Sequence, residues 1–179
     1  MNVPRIVGFL MVITALMIGI SSNLSSMIDP GSLMLVVGGI VGMLLLGGHN
    51  VGRMVTAVFS STADETVVRQ AIEGYRMGRY YSMAAAAVAL GIGSIIVLKE
   101  LSDPGSIGPG LVIAILSTLY ALLLGFVLFP GLQSGLENRL PESVPADDRF
   151  VPAALLALVF CSVMTVAVFA VLTASFTTG

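Results

Sequence analysis

Long apolar runs broken by short polar stretches set the pattern of this chain. They lie at about Ile6–Ile20, Leu33–Gly48, Met83–Leu98, Leu111–Phe129 and Val151–Phe176. Each is long enough to cross, or nearly cross, a lipid bilayer as a helix. The first three sit near the lower length limit, and short spans need local thinning of the bilayer or burial among neighbouring helices. The pattern therefore predicts an all-α, polytopic membrane protein that oligomerises. Its five transmembrane helices form two hairpins and one C-terminal helix. The divisions are a first hairpin over 1–48, a short cytoplasmic helical segment over 49–80 and a second hairpin over 81–130. A cytoplasmic linker over 131–150 and an additional span over 151–179 follow.

Composition agrees with this. At 56% hydrophobic and 10% charged residues, with mean hydropathy +1.02, the chain carries more apolar surface than one soluble core of 179 residues could hide. The net charge is −2 and the eight basic residues are dispersed, so no basic patch points to nucleic acid. The lone cysteine, Cys161, lies in an apolar run, can form no disulfide within the chain, and reads as packed or lipid-facing. Charge also sets the topology. A cytoplasmic amino terminus keeps Arg5, Arg53, Arg69, Arg76, Arg79, Arg139 and Arg149 inside and leaves only Lys99 near the outer face. The carboxyl terminus is then outside. A secretory signal is the alternative for the first run, since Arg5 precedes it and Ser21-Ser22 follows it, but no A-x-A site is present and further spans follow.

The tetrapeptide DPGS occurs at Asp29–Ser32 and again at Asp103–Ser106, each time before an apolar run. Asp caps the free N–H groups of the helix that follows, Pro fits its first position, and Gly with Ser relaxes the turn. The repeat marks two hairpins of the same sense, by duplication or by convergence on one outer cap. Small residues then predict close helix contacts: Gly38 with Gly42 in the second span, Ala87, Gly91 and Ser94 in the third, and Ala114, Thr118, Ala121 and Gly125 in the fourth.

Between the hairpins, Thr62-Ala-Asp-Glu65 reads as a capping box opening one short helix, with Val68, Ala71, Ile72 and Tyr75 on its apolar face. Glu65–Arg69 and Glu73–Arg76 are spaced for helix ion pairs. The polar face with Arg69, Glu73, Arg76 and Arg79 fits a cytoplasmic partner, and it equally fits a solvated face beside the membrane.

The spans contain no Asp, Glu, Lys, Arg or His, whereas a proton or cation pathway needs an ionisable or well-coordinating group at membrane depth. The chain alone therefore lacks the group that carries ions. No metal-ligand cluster, cofactor-binding loop or nucleophile with a base is present in the sequence, and no enzymatic activity is expected. The fourth span does hold hydroxyls, at Ser117, Thr118 and Tyr120. Serine and threonine in membrane helices also bond back to their own backbone, so the same letters suit plain packing.

Two ordered motifs go further. Asp103-Pro-Gly-Ser-Ile-Gly-Pro-Gly110, followed by Leu116-Ser-Thr-Leu-Tyr120 and Pro130, resembles the pattern DPxxIGPG…LTTLYG…P of the MotA/PomA stator family. Met27-Ile-Asp-Pro-Gly-Ser-Leu-Met-Leu-Val-Val-Gly-Gly39 resembles that family's FIDxPSLLIVLGG. The resemblance covers about residues 1–60 and 77–140. It implies a subunit of the bacterial inner (cytoplasmic) membrane that forms a homopentamer around a MotB-like single-span partner. That partner carries the ion-binding Asp. By the match, Thr118 stands beside the partner's Asp, Ser117 and Tyr120 support the same wall, and Pro104, Pro109 and Pro130 take part in conformational coupling to the partner.

The chain also departs from the family. Its cytoplasmic region is reduced to His49–Tyr80, which removes most of the rotor-facing surface and points to a non-flagellar process. Leu90 stands where the family places a threonine, and a fifth span follows the fourth. The leading expectation is a stator-like ion-channel subunit driven by protons or sodium ions. The alternative is an accessory membrane protein that keeps the scaffold without conducting. A solute transporter ranks last, because no span is visibly interrupted.

Overall fold

The computed structural model describes residues 28–60, 62–100, 107–140 and 150–177, with isolated positions 7, 8, 10, 11 and 14. Most of the first apolar run, the second DPGS turn with Pro104, and the linker over 141–149 lie outside the described residues. Every described element is helical: α1 Pro30–Leu46, α2 Val51–Phe59, α3 Glu65–Lys99, α4 Ile107–Glu137 and α5 Phe150–Thr177.

Helix α1 begins as its letters dictate. Asp29 is the N-cap, its carboxylate accepts the Ser32 N–H at 2.6 Å, and Pro30 takes the first helical position. A glycine pair ends the helix, with Gly48 at φ 78°, and α2 sets off at 104° to α1 with Asn50 as its cap. The segment 49–80 therefore holds α2 and the start of α3, not one short helix. Helix α3 runs unbroken for 35 residues, about 52 Å, well beyond the hydrocarbon thickness. It fuses the expected cytoplasmic helix with the third span because no proline interrupts it and the two glycines before the junction, Gly74 and Gly78, are covered. Gly74 lies under the Met54 side chain and Gly78 under the Phe129 ring. The capping box does not form: Asp64 holds the N-cap position but its carboxylate accepts the Thr66 hydroxyl at 2.7 Å instead of a helix N–H, and the Thr62 hydroxyl pairs with that of Ser60 at 3.3 Å.

Helix α4 also outruns its expected span. It contains a wide π turn at Leu124–Leu128, where the Phe129 N–H reaches the Leu124 carbonyl. Pro130 has no N–H and its ring crowds the preceding turn, and the wider turn accommodates both effects. Helix then continues to Glu137, into the expected linker.

Among the described residues α3 and α4 are each long and apolar enough to cross a membrane, and α1 with α2 makes a third candidate if the bent pair is one span. The antiparallel α3–α4 pair is the centre of the molecule. A Cβ built on Gly93 would lie 2.6 Å from the Gly110 carbonyl and the Ala114 N, and one on Gly125 would lie 2.7 Å from the Met83 side chain. The closest approach thus uses Gly93, Gly110, Ala114 and Gly125, whereas Gly91 has nothing within 4 Å. Among the described residues nothing lies against Gly38 or Gly42 either, because α1 buries the stripe Ser32, Val36, Ile40 and Leu44 instead. Large exposed side chains such as Met34, Ile95 and Leu156 match a surface bathed in lipid.

Candidate functional site

The hydroxyl-bearing part of α4 sits between two flanks. On one side, the Asp29 N–H donates to the Tyr120 hydroxyl at 3.1 Å, which ties the DPGS cap of α1 to mid-α4. On the other, α5 lies along a narrow seam lined by Leu90 and Ser94 of α3, Leu111 and Ala114 of α4, and Thr165 and Val168 of α5. At 3.6 residues per turn, Tyr120 and Leu111 point to opposite sides of α4.

The three hydroxyls therefore do not share one wall. Ser117 is fully buried with no hydrogen-bond partner among the described residues. Thr118 lies on the flank of Leu111 and Ile115, partly exposed, and donates to the Ala114 carbonyl at 2.8 Å. Ser82 and Ser94 on α3 likewise bond back, to Gly78 and Leu90, each at 2.7 Å. Ser117 is the exception in this helix pair, and the unbonded hydroxyl retains donor and acceptor capacity in a dry setting. Leu90 is buried in the seam, so an aliphatic wall stands where the family resemblance expects a hydroxyl. Among the described residues no group of acidic, histidine or cysteine side chains is arranged to hold a metal.

The prolines act by position. Pro109 lies in the first turn of α4, where its missing N–H leaves no helix bond unmade, and Pro130 follows the π turn. Pro104 lies outside the described residues.

The polar face of α3 is largely satisfied internally. Arg69 pairs with Glu65 at 2.8 Å and Arg76 with Glu73 at 2.6 Å, all four side chains partly exposed. Arg79 turns towards α4 and donates to the Gln133 side chain at 3.4 Å, and Gln133 in turn donates to Glu137 at 2.8 Å. Arg69, Glu73 and Arg76 thus remain on an accessible surface, while Arg79 links two helices.

Sequence reasoning assigned Arg139 only to the charge count. In the fold its guanidinium donates to the carbonyls of Ala57, Val58 and Ser60 at 2.8, 2.9 and 2.9 Å, closing the carboxyl end of α2. Near it, the Tyr75 hydroxyl donates to the Met54 carbonyl at 3.0 Å and its ring packs on Phe129 with centroids 6.0 Å apart. Nothing in the local sequence around Arg139 signals a contact across some eighty residues.

Comparison with known proteins gives partial similarity. The chain is 40% identical over 53 residues to Motility protein A of Cereibacter sphaeroides, covering 30% of this chain and 21% of that protein. It is 36% identical over 53 residues to the uncharacterized protein YtxD of Bacillus subtilis strain 168, covering 30% and 20%. The matches span about a fifth of the length of these relatives. No family profile matches the chain, and no solved structure does.

Proposed function

We propose that this chain is a MotA-like subunit of an ion-driven stator or channel complex in the bacterial inner membrane. In this reading, five copies surround a MotB-like partner whose single helix brings the ion-binding Asp. The five spans cross with the amino terminus inside. The observation that carries the reading is an α3–α4 pair holding a partly exposed Thr118 and an unbonded Ser117 but no membrane-depth carboxylate, in a chain partly similar to Motility protein A.

The division of labour follows from cost. A carboxylate at membrane depth is expensive unless a neighbour solvates its charged form. The partly exposed Thr118 hydroxyl supplies that solvation by turning its O–H from the Ala114 carbonyl to the carboxylate, without bringing charge of its own. Gly38 and Gly42 of α1, against which no described residue packs, offer a small-residue face for a second copy to approach closely, which supports a ring. Energy comes from the membrane potential, at about 2.3 kcal/mol per elementary charge per 100 mV, together with the ion gradient.

A second reading, a scaffold that assembles without conducting, is favoured by one observation: α5 packs on α3 beside the side of α4 that bears Leu111, Ile115 and Thr118. Flux measurements separate the two. Vesicles holding this chain and a single-helix partner with an Asp should pass ions, and Thr118→Val should lower the flux while the complex still assembles. Unchanged flux in Thr118→Val removes Thr118 from the path, and absence of flux in the wild-type complex favours the scaffold.

A further inference from the structure

Helix α2 has three different sides. Met54 and Ala57 share the side that packs on the bundle, with the half-buried Val51 and Val58 at its edge. Val55 and Phe59, one turn apart, form a second side that is apolar and exposed, at 47% and 85%. Arg53, the one charged residue of α2, is exposed and lies about 120–160° round the helix from them.

The depth of this helix follows from its contacts with α3. Helix α1 ends level with Tyr81, since a Cβ on Gly47 would lie 2.9 Å from the Tyr81 hydroxyl. Tyr80 and Tyr81 stand just before the apolar run Met83–Leu98, and tyrosines favour the membrane–water boundary. The chain then bends by 104°, and α2 crosses α3 at Gly74 and Tyr75. There the Met54 side chain covers Gly74, and the Tyr75 hydroxyl donates to the Met54 carbonyl at 3.0 Å. The crossing lies about 9 Å from Tyr81 along α3, and a helix with its side chains is about 5–6 Å in radius, so the near side of α2 reaches the headgroup layer. The sides are then assigned by the cleft at the elbow. Arg53 lines it together with Gln70, Ala71 and Glu73, which precede the crossing on α3 and so lie farther from the apolar run. Arg53 therefore turns away from the membrane, and Val55 and Phe59 turn back towards it.

We propose that α2 is an interfacial helix whose Val55 and Phe59 side chains enter the acyl-chain boundary of the membrane face at which α1 ends. An amphipathic helix lying in the surface plane buries its apolar side at that boundary and keeps its charge in water. Leu45 and Leu46 at the end of α1 are 59% and 90% exposed, so apolar surface is open on both sides of the elbow. A soluble protein docking on Val55 and Phe59 would have to displace headgroups at this depth. The anchor reaches both long helices, through the Tyr75 hydroxyl on α3 and the Arg139 guanidinium that follows α4. Membrane seating of α2 rests on α1 and α3 crossing the bilayer and uses none of the α4 hydroxyls.

Tryptophan quenching in vesicles tests this seating, because the chain contains no tryptophan and one introduced indole reports one position. Full-length Phe59→Trp, Arg53→Trp and Met34→Trp are reconstituted separately in phosphatidylcholine. One arm uses lipid brominated along its acyl chains, and the other adds iodide on both sides of the membrane. Met34, 81% exposed on α1, is the lipid-facing reference. Phe59→Trp should lose most of its emission to the bromolipid, as Met34→Trp does, and little to iodide, whereas Arg53→Trp should show the reverse. Val55→Trp, one turn back on the same side, repeats the measurement if Phe59→Trp fails to fold. Iodide quenching of Phe59→Trp as strong as that of Arg53→Trp would put the side chain in water and overturn the seating. Shielding from both quenchers would mean that protein, a second copy or a partner, covers this side, which overturns it as well. Absence of bromolipid quenching in Met34→Trp would take α1 out of lipid, and the interfacial helix with it.

Discussion

At Gly93 the helices meet through bare backbone. A Cβ there would fall 2.6 Å from the Gly110 carbonyl and the Ala114 N, neither of which can move aside like a flexible side chain. Gly93→Leu should therefore force α3 and α4 apart and cost about 1–3 kcal/mol or more in thermal unfolding of the detergent-solubilised protein. Gly91→Ala, with nothing within 4 Å, should stay within about 0.5 kcal/mol of wild type. Small-residue spacing made such contacts legible, but not their partners. Gly91 and Gly93 read alike in a string of letters, and only the rotation of α3 against α4 distinguishes them. The DPGS cap at Asp29 was fully legible because its bonds are local. Hydrogen bonding from Ser32, seen in its N–H at 2.6 Å, holds the Asp29 carboxyl below its ordinary value of 3.8. A folded pKa below the unfolded one gives stability that is present above pH 3.8 and lost as pH falls through the lowered folded value. Unfolding followed across that acid range should show the loss in wild type. Asp29→Asn should keep a cap without that pH dependence, and Asp29→Ala should lose both.

At the scale of elements, the sequence divides the chain wherever polarity changes, while the fold divides it where hydrogen bonding stops. Polarity changes near residue 80, yet nothing there ends a helix, so α3 runs through. Helix α2 shows the converse. It has nine residues, too few to hold a helix in isolation, and it persists because Met54 and Ala57 are buried and Arg139 satisfies three carbonyls at its end. Arg139→Ala should release that end at a cost of about 1–2 kcal/mol, discounted for the partial exposure of the guanidinium. Amide exchange over residues 51–60 should quicken, while exchange in the α3–α4 pair stays unchanged. Arg139→Lys should recover only part of the protection, because an ammonium cannot hold three separate carbonyls in one planar fork. Equal exchange in wild type and Arg139→Ala would show that the clamp is not what orders α2.

Across the whole molecule, the α3–α4 pair has two flanks, and helices of the same chain lie on both. Tyr120 commits the first flank to α1 through the Asp29 N–H, and the second, with Thr118, carries α5 along the seam. A partner helix that brings its carboxylate to Thr118 must approach on this second flank, so it either displaces α5 or meets Thr118 on the inward side of the seam. Ser94 and Thr165 line that seam from α3 and α5, and the chain's single native cysteine can be removed, which gives a clean probe. In the triple variant Cys161→Ser, Ser94→Cys, Thr165→Cys, oxidation or a short bifunctional reagent should cross-link α3 to α5 within one chain. Co-expression with a single-helix partner should lower the yield if the ring works by exchanging α5 for that helix. A yield that holds while the complex passes ions would place the partner inward of the seam and make α5 a permanent wall. A yield that holds with no flux leaves the second flank occupied by the chain itself, and the fifth helix is then the physical reason this scaffold does not conduct.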